Sequence, residues 1–371
     1  MKKLGLALLA PIVALAFAIG VAALALLAVG VNPGEAFGLM WDFGTTSTSI
    51  ASIVNRAIPL YISAVAVAIG FQMKMFNIGV EGQYLVAALF AGWVGGSIAI
   101  WAPLHILVVI AVAVFVGALW AGIAGVLKVT RGVNEVVATI MLNFIGFSVV
   151  GYFLGNFFAV DSGALNQSTP LLPESGQIPG LNWIFTVFGF TEPKGTELQG
   201  FLIVAILIGI GYYVLVWKTR FGFDLRASGA NPGAAKMSGV NPKKMIMYTM
   251  LLSGGVAGMV GLSTMFGKLH AYTQDFPRGL GFAGIAVALL GRNGAIGMAL
   301  GALLFGFMER SALILDLNNI PKEVVQIIQG VVVLAVVIAY EVVDRWIKAR
   351  EIKAANAATQ AFRSDGEEVA A

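Results

Sequence analysis

Polar side chains that could do chemistry are few in this chain, and they are grouped. The first group is FNIGVEGQ, residues 76–83, where Asn77, Glu81 and Gln83 are interleaved with Gly79 and Gly82. The second is Asn134, Glu135, Thr139 and Asn143, of which the last three recur every four residues and so share one helical face. The third is the adjacent pair Glu309-Arg310. Neighbours on a helix point about 100° apart, so these two should pair with other spans rather than with each other. Amides and carboxylates of this kind can hydrogen-bond a neutral polar solute, or they can hold helices together, and residue types alone leave both readings open. Glu81 likewise admits two roles, contact with a substrate or a structural place beside a helix N-terminus and its backbone N–H groups. Catalysis has no comparable support. The chain carries no Ser-His-Asp grouping, no HExxH and no GxxxxGK[ST] phosphate loop. It has no cysteine, and His105 and His270 lie far apart without partners at metal-ligand spacing. No residue is therefore assigned to catalysis or to a metal.

The elements that must position these groups are membrane spans. Of the 371 residues 58% are hydrophobic and 11% charged, against about 25% charged in soluble globular domains. Apolar runs near 20 residues recur, so the expected fold class is an all-α polytopic membrane protein. The net charge of +4 comes from basic residues clustered in a few loops. That clustering sets orientation in the membrane and does not mark a nucleic-acid partner. Lys2 and Lys3 precede an apolar run over about 4–30, too long for the ~7–15-residue core of a signal peptide and read as span 1. Further spans are expected at 57–73, 76–96, Pro103 to Lys128 and Arg131, from the end of GVNEVVATIMLNF to Phe158, 200–217, 246–266, 279–291, 294–312 and 323–343. That makes about ten transmembrane helices with both termini cytoplasmic, as an even number requires. A single permease domain would cover 1–350, followed by a flexible cytoplasmic tail, 351–371. Residues 31–55, rich in Thr and Ser, would lie outside. So would the long loop 161–199, with Asp161, Glu174, Glu192 and Glu197 against Lys194 and an apolar island at Trp183, Ile184, Phe185, Val187 and Phe188.

Two segments are short or broken by glycine, 76–83 and 279–293, and paired breaks of this sort point to a transport site. Phe76, Phe266 and Phe282 could stack on a flat ring near them. The longest stretch of one charge sign is 218–245, a cytoplasmic loop with Lys218, Arg220, Arg226, Lys236, Lys243 and Lys244 opposed only by Asp224. Within it Asn231 can cap a helix, Pro232 suits the first helical position and Gly239 ends the run, which predicts a short helix over Pro232–Ser238. Such a helix either only accompanies a loop that fixes topology or serves as a handle for a soluble partner.

Four stretches taken together resemble the ABC-importer permeases for nucleosides and simple sugars, a group related to the ribose and branched-chain amino-acid permeases. They are FNIGVEGQYLVAALFAGW (76–93), GVNEVVATIMLNFI (132–145), RASGANPGAAKMSGV (226–240) and GFAGIAVALLGRNGAIGMALGALLFG (281–306). The length, the extra N-terminal span and the long 161–199 loop are most similar to the larger of two unlike permeases in bacterial nucleoside importers. The resemblance implies the type II importer transmembrane domain in the bacterial cytoplasmic (inner) membrane. It implies a second, shorter permease, an ATP-binding cassette ATPase that holds the ATP and Mg, and an extracytoplasmic solute-binding protein or lipoprotein. Membrane lipid surrounds the chain, which itself binds no cofactor. By the same resemblance Asn231, Pro232, Ala234, Ala235, Lys236, Ser238 and Gly239 form the coupling helix that docks on the ATPase. Asn77, Glu81, Gln83 and Asn143 are expected to line or brace the substrate pathway of an alternating-access importer. The expected solute is a nucleoside. A simple sugar such as ribose is the alternative, and an ion-coupled secondary transporter, for which Glu81, Glu135 and Glu309 are the available acids, is a third.

Overall fold

A computed structural model describes residues 16–338 apart from 18, 161–165, 319 and 321–323, together with 342, 345 and 349. Lys2 and Lys3, part of the first apolar run and the tail 351–371 lie outside the described residues, as does the basic cluster after 343 apart from Arg345. The sidedness expected of the two termini therefore lies outside them too. The chain divides into two compact units, Gly38–Asn318 and the ends Met1–Phe37 with Asn319–Ala371. Described helices of the second unit include Ile19–Ala28 and Val324–Ile338.

The helices that carry the argument are α1 (Pro33–Gly44), α2 (Ser47–Gln72), α3 (Val80–Ser97), α4 (Ala102–Arg131), α5 (Glu135–Phe153) and α6 (Phe201–Lys218). They continue with α7 (Arg220–Ala230), α8 (Pro232–Met237), α9 (Pro242–Gly258), α10 (Leu280–Leu290) and α11 (Ala295–Leu317). No strand occurs among the described residues, only an isolated antiparallel bridge between Ser168 and Thr273. Six helices are long and apolar enough to cross a membrane, or seven if the bent pair Ile19–Ala28 and Pro33–Gly44 counts as one span. The expected ten is not reached on length and composition. One reason is α3, which is 18 residues long but opens on Glu81 and Gln83. Another is α10, whose 11 residues cover about 17 Å.

Two span boundaries shift. The Thr- and Ser-rich stretch expected outside is in large part helical: α2 begins at Ser47, capped by Thr46, whose side chain accepts the Ser49 N–H. The Ser52 hydroxyl satisfies itself on the Thr48 carbonyl, so these polar residues do not need water. Likewise α5 starts at Glu135, not after Phe144, because Asn134 caps it by accepting the Val136 N–H. Its polar residues therefore lie inside the helix.

Within Gly38–Asn318, α2 is central. Its most apolar stretch is 78% buried, against 28% for α4 and for α6. Small residues let the helices close up: a Cβ on Gly117 of α4 would strike the Gly254 carbonyl of α9, and one on Gly258 the Ala113 carbonyl. At one end of the unit Met73 and Met75 pack with Ala124, Ala138, Leu142, Leu225 and Met245. That end holds the basic loops. At the other end His105 binds the Ser175 hydroxyl and the Gly95 carbonyl, both at 2.9 Å, which ties α3 and α4 to the long loop. The apolar island of that loop is split, with Phe185 packed against Ala51 and Leu198 while Trp183, Val187 and Phe188 stay exposed.

Candidate functional site

The segment 73–79 leaves the end of α2 through Lys74, at φ 54°, runs irregularly over 75–77 and enters α3 through a turn at 78–79. It is held by side chains. Asn77 and Gln83 exchange two amide hydrogen bonds of 2.9 Å, and the Asn77 amide also donates to the Ser253 hydroxyl at 2.8 Å. Ser253 in turn donates to the Ala66 carbonyl of α2 at 2.6 Å. From α5, Asn143 accepts the Gly82 N–H at 2.8 Å and donates to the Ile78 carbonyl at 3.0 Å. Gly82 has no room for a side chain, since a Cβ there would lie 2.9 Å from the Asn143 Cα. All four expected pathway residues thus come together, each at most 2% exposed.

Glu81 completes the group. Its carboxylate accepts the N–H of Gly279 at 2.6 Å and of Gly281 at 2.8 Å, and the Tyr84 hydroxyl lies 3.0 Å away. The charge is therefore placed at the N-terminus of α10, where free N–H groups and the helix dipole favour an anion. Gly279 sits at φ 89°, a left-handed turn that glycine tolerates. The two glycine-broken segments legible in the sequence are thereby one feature, joined through a single carboxylate.

Of the second polar set, Asn134 is a cap, Glu135 pairs with Lys128 across the α4–α5 turn, and Thr139 bonds the Glu135 carbonyl. Glu309 and Arg310 do reach other elements, Glu309 to Arg56 of α2 and Arg310 to Ser49. Two of the phenylalanines pair elsewhere, Phe76 edge-to-face with Phe71 and Phe266 with Phe201, and Phe282 is exposed. Among the described residues no group of three or more His, Asp or Glu is placed to hold a metal.

The basic loop folds as α7 and α8. The side chain of Asn231 accepts the Ala234 N–H at 3.1 Å, α8 runs Pro232–Met237 with Ser238 as its C-cap, and Gly239 leaves it at φ 84°. Ala235 alone is buried, while Pro232, Ala234, Lys236 and Ser238 are exposed. Sequence reasoning passed over Met237, which is 90% exposed at the end of α8. The signal was available, as a large apolar residue in a basic loop. Gly229 of α7 lies against the Gln72 carbonyl and Met73, so the loop abuts the start of the 73–79 segment.

A helical membrane unit with a capped, exposed helix at its basic end and a buried polar knot around two broken segments is the architecture of a transport permease. Residues 49–337 match the family model described as branched-chain amino acid transport system / permease component. The chain belongs to that family and is a multi-pass membrane permease, not itself an enzyme. It is 33% identical to the guanosine ABC transporter permease protein NupP of Bacillus subtilis, over 90% of this chain and 94% of that one. It is 30% identical to the glucose ABC transporter permease protein TsgB13 of Haloferax volcanii, over 87% and 85%. It is 28% identical to the nucleoside ABC transporter permease protein NupB of Lactococcus lactis, over 94% and 96%.

Proposed function

We propose that this chain is the membrane-spanning permease of an ATP-driven importer and translocates nucleosides across the cytoplasmic membrane by alternating access. The observation that carries the ATP-driven part is α8, a capped helix whose exposed surface, including Met237, has no covering within the described chain. An ATP-binding cassette ATPase, with its ATP and Mg, docks there. Its closure is felt by α7 and α9, which share a packed cluster with Met73, Met75 and Leu142, next to the knot of Asn77, Glu81, Gln83 and Asn143. These four residues brace the pathway by holding the broken segments. A second, shorter permease completes the pathway, and an extracytoplasmic binding protein or lipoprotein delivers the solute. Nucleosides are favoured because two of the relatives above, matched over nine-tenths of this chain or more, are named for guanosine or nucleosides. The glucose permease among them supports a simple sugar as the second reading.

The test is uptake of radiolabelled guanosine, adenosine, uridine, ribose and glucose by cells with and without the chain, at matched partner expression. Loss of nucleoside uptake alone is the expected result. Loss of sugar uptake alone would overturn the nucleoside assignment and keep the permease. Uptake that survives ATP depletion and collapses with an uncoupler would replace the ATPase with ion coupling.

A further inference from the structure

Three charges lie well inside the membrane-spanning helices α2 and α11. Arg56 Nη1 is 3.3 Å from Glu309 Oε2, and their side chains remain 40% and 33% exposed. Arg310 Nε lies 3.2 Å from the Ser49 hydroxyl, with its guanidinium 4.6 Å from the Phe43 ring centre. Counted along the helices, Arg56 is about 14 Å from the Ser47 end of α2 and Glu309 about 12 Å from the Leu317 end of α11. Both of those ends lie away from the basic loops, so the cluster sits at one depth. Exposed charges at such a depth do not face lipid; they face protein or a water-filled cavity.

The sides of α2 separate the two environments. Val54, Ile58 and Tyr61 line an apolar groove of about 480 Å³ against α6 and α11, a surface suited to acyl chains. Ser49, Ser52, Arg56 and Ser63 are spaced three, four and seven apart and share a different side. Arg56 and Ile58 point about 160° apart around the helix. The Ser63 hydroxyl is buried without a hydrogen-bond partner among the described residues, and Gly284 of α10 lies directly against it. So Ser49, Ser52 and Arg56 form a polar side near the end opposite the basic loops, and Ser63, two turns further on beyond buried Pro59 and Leu60, is buried against the short helix that Glu81 anchors.

We propose that the side of α2 and α11 bearing Ser52, Arg56 and Glu309 lines a water-filled vestibule of the translocation pathway, in which these groups contact a neutral solute rich in hydroxyl and amide groups. Arg56 and Arg310 supply donors, and Glu309 and Ser52, whose own O–H is given to the Thr48 carbonyl, supply acceptors. Arg56 is paired with Glu309 and Arg310 is held by Ser49 and the Phe43 ring, so the three groups leave a net charge of +1 and meet an uncharged solute through hydrogen bonds, not as a counter-ion. This rests on the transport reading above but not on which solute is carried.

The chain has no cysteine, so single-cysteine variants report one position each. In the assembled importer in intact cells, Ser52→Cys and Glu309→Cys are treated with a membrane-impermeant charged methanethiosulfonate. Leu207→Cys, on the lipid side of α6 where Leu207 is 60% exposed, is the reference. The thiolate is the reacting species, so a water-lined site reacts fast. We expect Ser52→Cys to react about tenfold faster than Leu207→Cys, and the transported solute to slow it about threefold. Ser52→Cys removes no charge, so it remains informative if Glu309→Cys fails to assemble. Reaction at Ser52→Cys no faster than at Leu207→Cys, in a variant that still takes up solute, overturns the vestibule. Fast reaction that no transported solute slows overturns it as a solute contact. If the importer carries a sugar, the protecting solute changes while the labelling rates do not, which separates this proposal from the nucleoside assignment.

Discussion

Glu81 accepts the N–H of Gly281 at 2.8 Å across a sequence separation of 200 residues. With the 2.6 Å bond from Gly279, it makes the start of α3 the cap of α10. An 11-residue helix is marginal by itself. Here its first turn is supplied from another helix, which fixes α10 relative to the 73–79 segment and to the polar knot behind it.

Replacing that carboxylate should therefore cost stability before it costs solute affinity. Glu81→Ala leaves the buried Gly281 N–H without an acceptor, at ~1–3 kcal/mol, and the half-buried Gly279 N–H without one at a smaller cost. Glu81→Gln keeps one acceptor oxygen and should fall between. Thermal unfolding of the purified protein in detergent, without solute, reads this directly. An unchanged transition in Glu81→Ala, with a raised KM for uptake, would reassign Glu81 to the solute.

How much of this was legible follows from what each signal depends on. The short helix α8 was readable almost to the residue, because Asn231, Pro232 and Gly239 act through their own backbone. The polar clusters were readable as clusters. Their partners were not: nothing near Glu81 in sequence announces Gly279, and the Asn77–Ser253 bond spans 176 residues. The start of α2 was missed because Ser and Thr were counted as loop formers, whereas here Ser52 bonds the Thr48 carbonyl and Ser49 is buried. Met237 stood in the sequence as a large apolar residue in a basic loop, but its 90% exposure depends on how α8 packs and could be seen only in the fold.

Asn143→Leu tests the knot from the α5 side. Leucine cannot accept the Gly82 N–H or donate to the Ile78 carbonyl, and Gly82 leaves it little space. The expected cost is about 1–3 kcal/mol from the unmet buried Gly82 N–H, with a smaller addition from the half-buried Ile78 carbonyl. Folded yield and the unfolding transition should both drop. Normal expression with normal uptake would show that the amide is dispensable packing.

Gly281→Ala probes the same junction by volume. A Cβ there would press on the Glu81 backbone nitrogen and lie 2.8 Å from its Cα. Overpacking of this kind costs about 1–3 kcal/mol, and the backbone shift needed to relieve it lengthens the Glu81 contacts. Gly279→Ala should be harmful by a different route, since its φ of 89° strains any L-residue by about 1–2 kcal/mol. A double variant with Glu81→Ala separates the two. Gly281→Ala should then add less than it does alone, while Gly279→Ala keeps its full backbone cost.

Met237→Ser should behave in the opposite way to all of these. The side chain is 90% exposed and touches nothing that holds the fold, so the unfolding transition should move by no more than about 0.5 kcal/mol. If α8 docks in a groove on the ATPase, Met237 is the apolar group that enters it, and flexible, polarisable methionine suits a surface that must slide as the ATPase closes. An anchor of this kind is worth about 2 kcal/mol or more at an interface. Uptake and co-purification of the ATPase should then fall about 30-fold with the permease still folded and inserted. Asn231→Ala, which removes the cap at a cost of about 1 kcal/mol, should give a milder version of the same defect. Lys243→Ser, in the same basic loop but outside α8, is the control for charge. If it weakens ATPase binding as much as Met237→Ser does, general attraction by the loop, not the tip of α8, holds the ATPase.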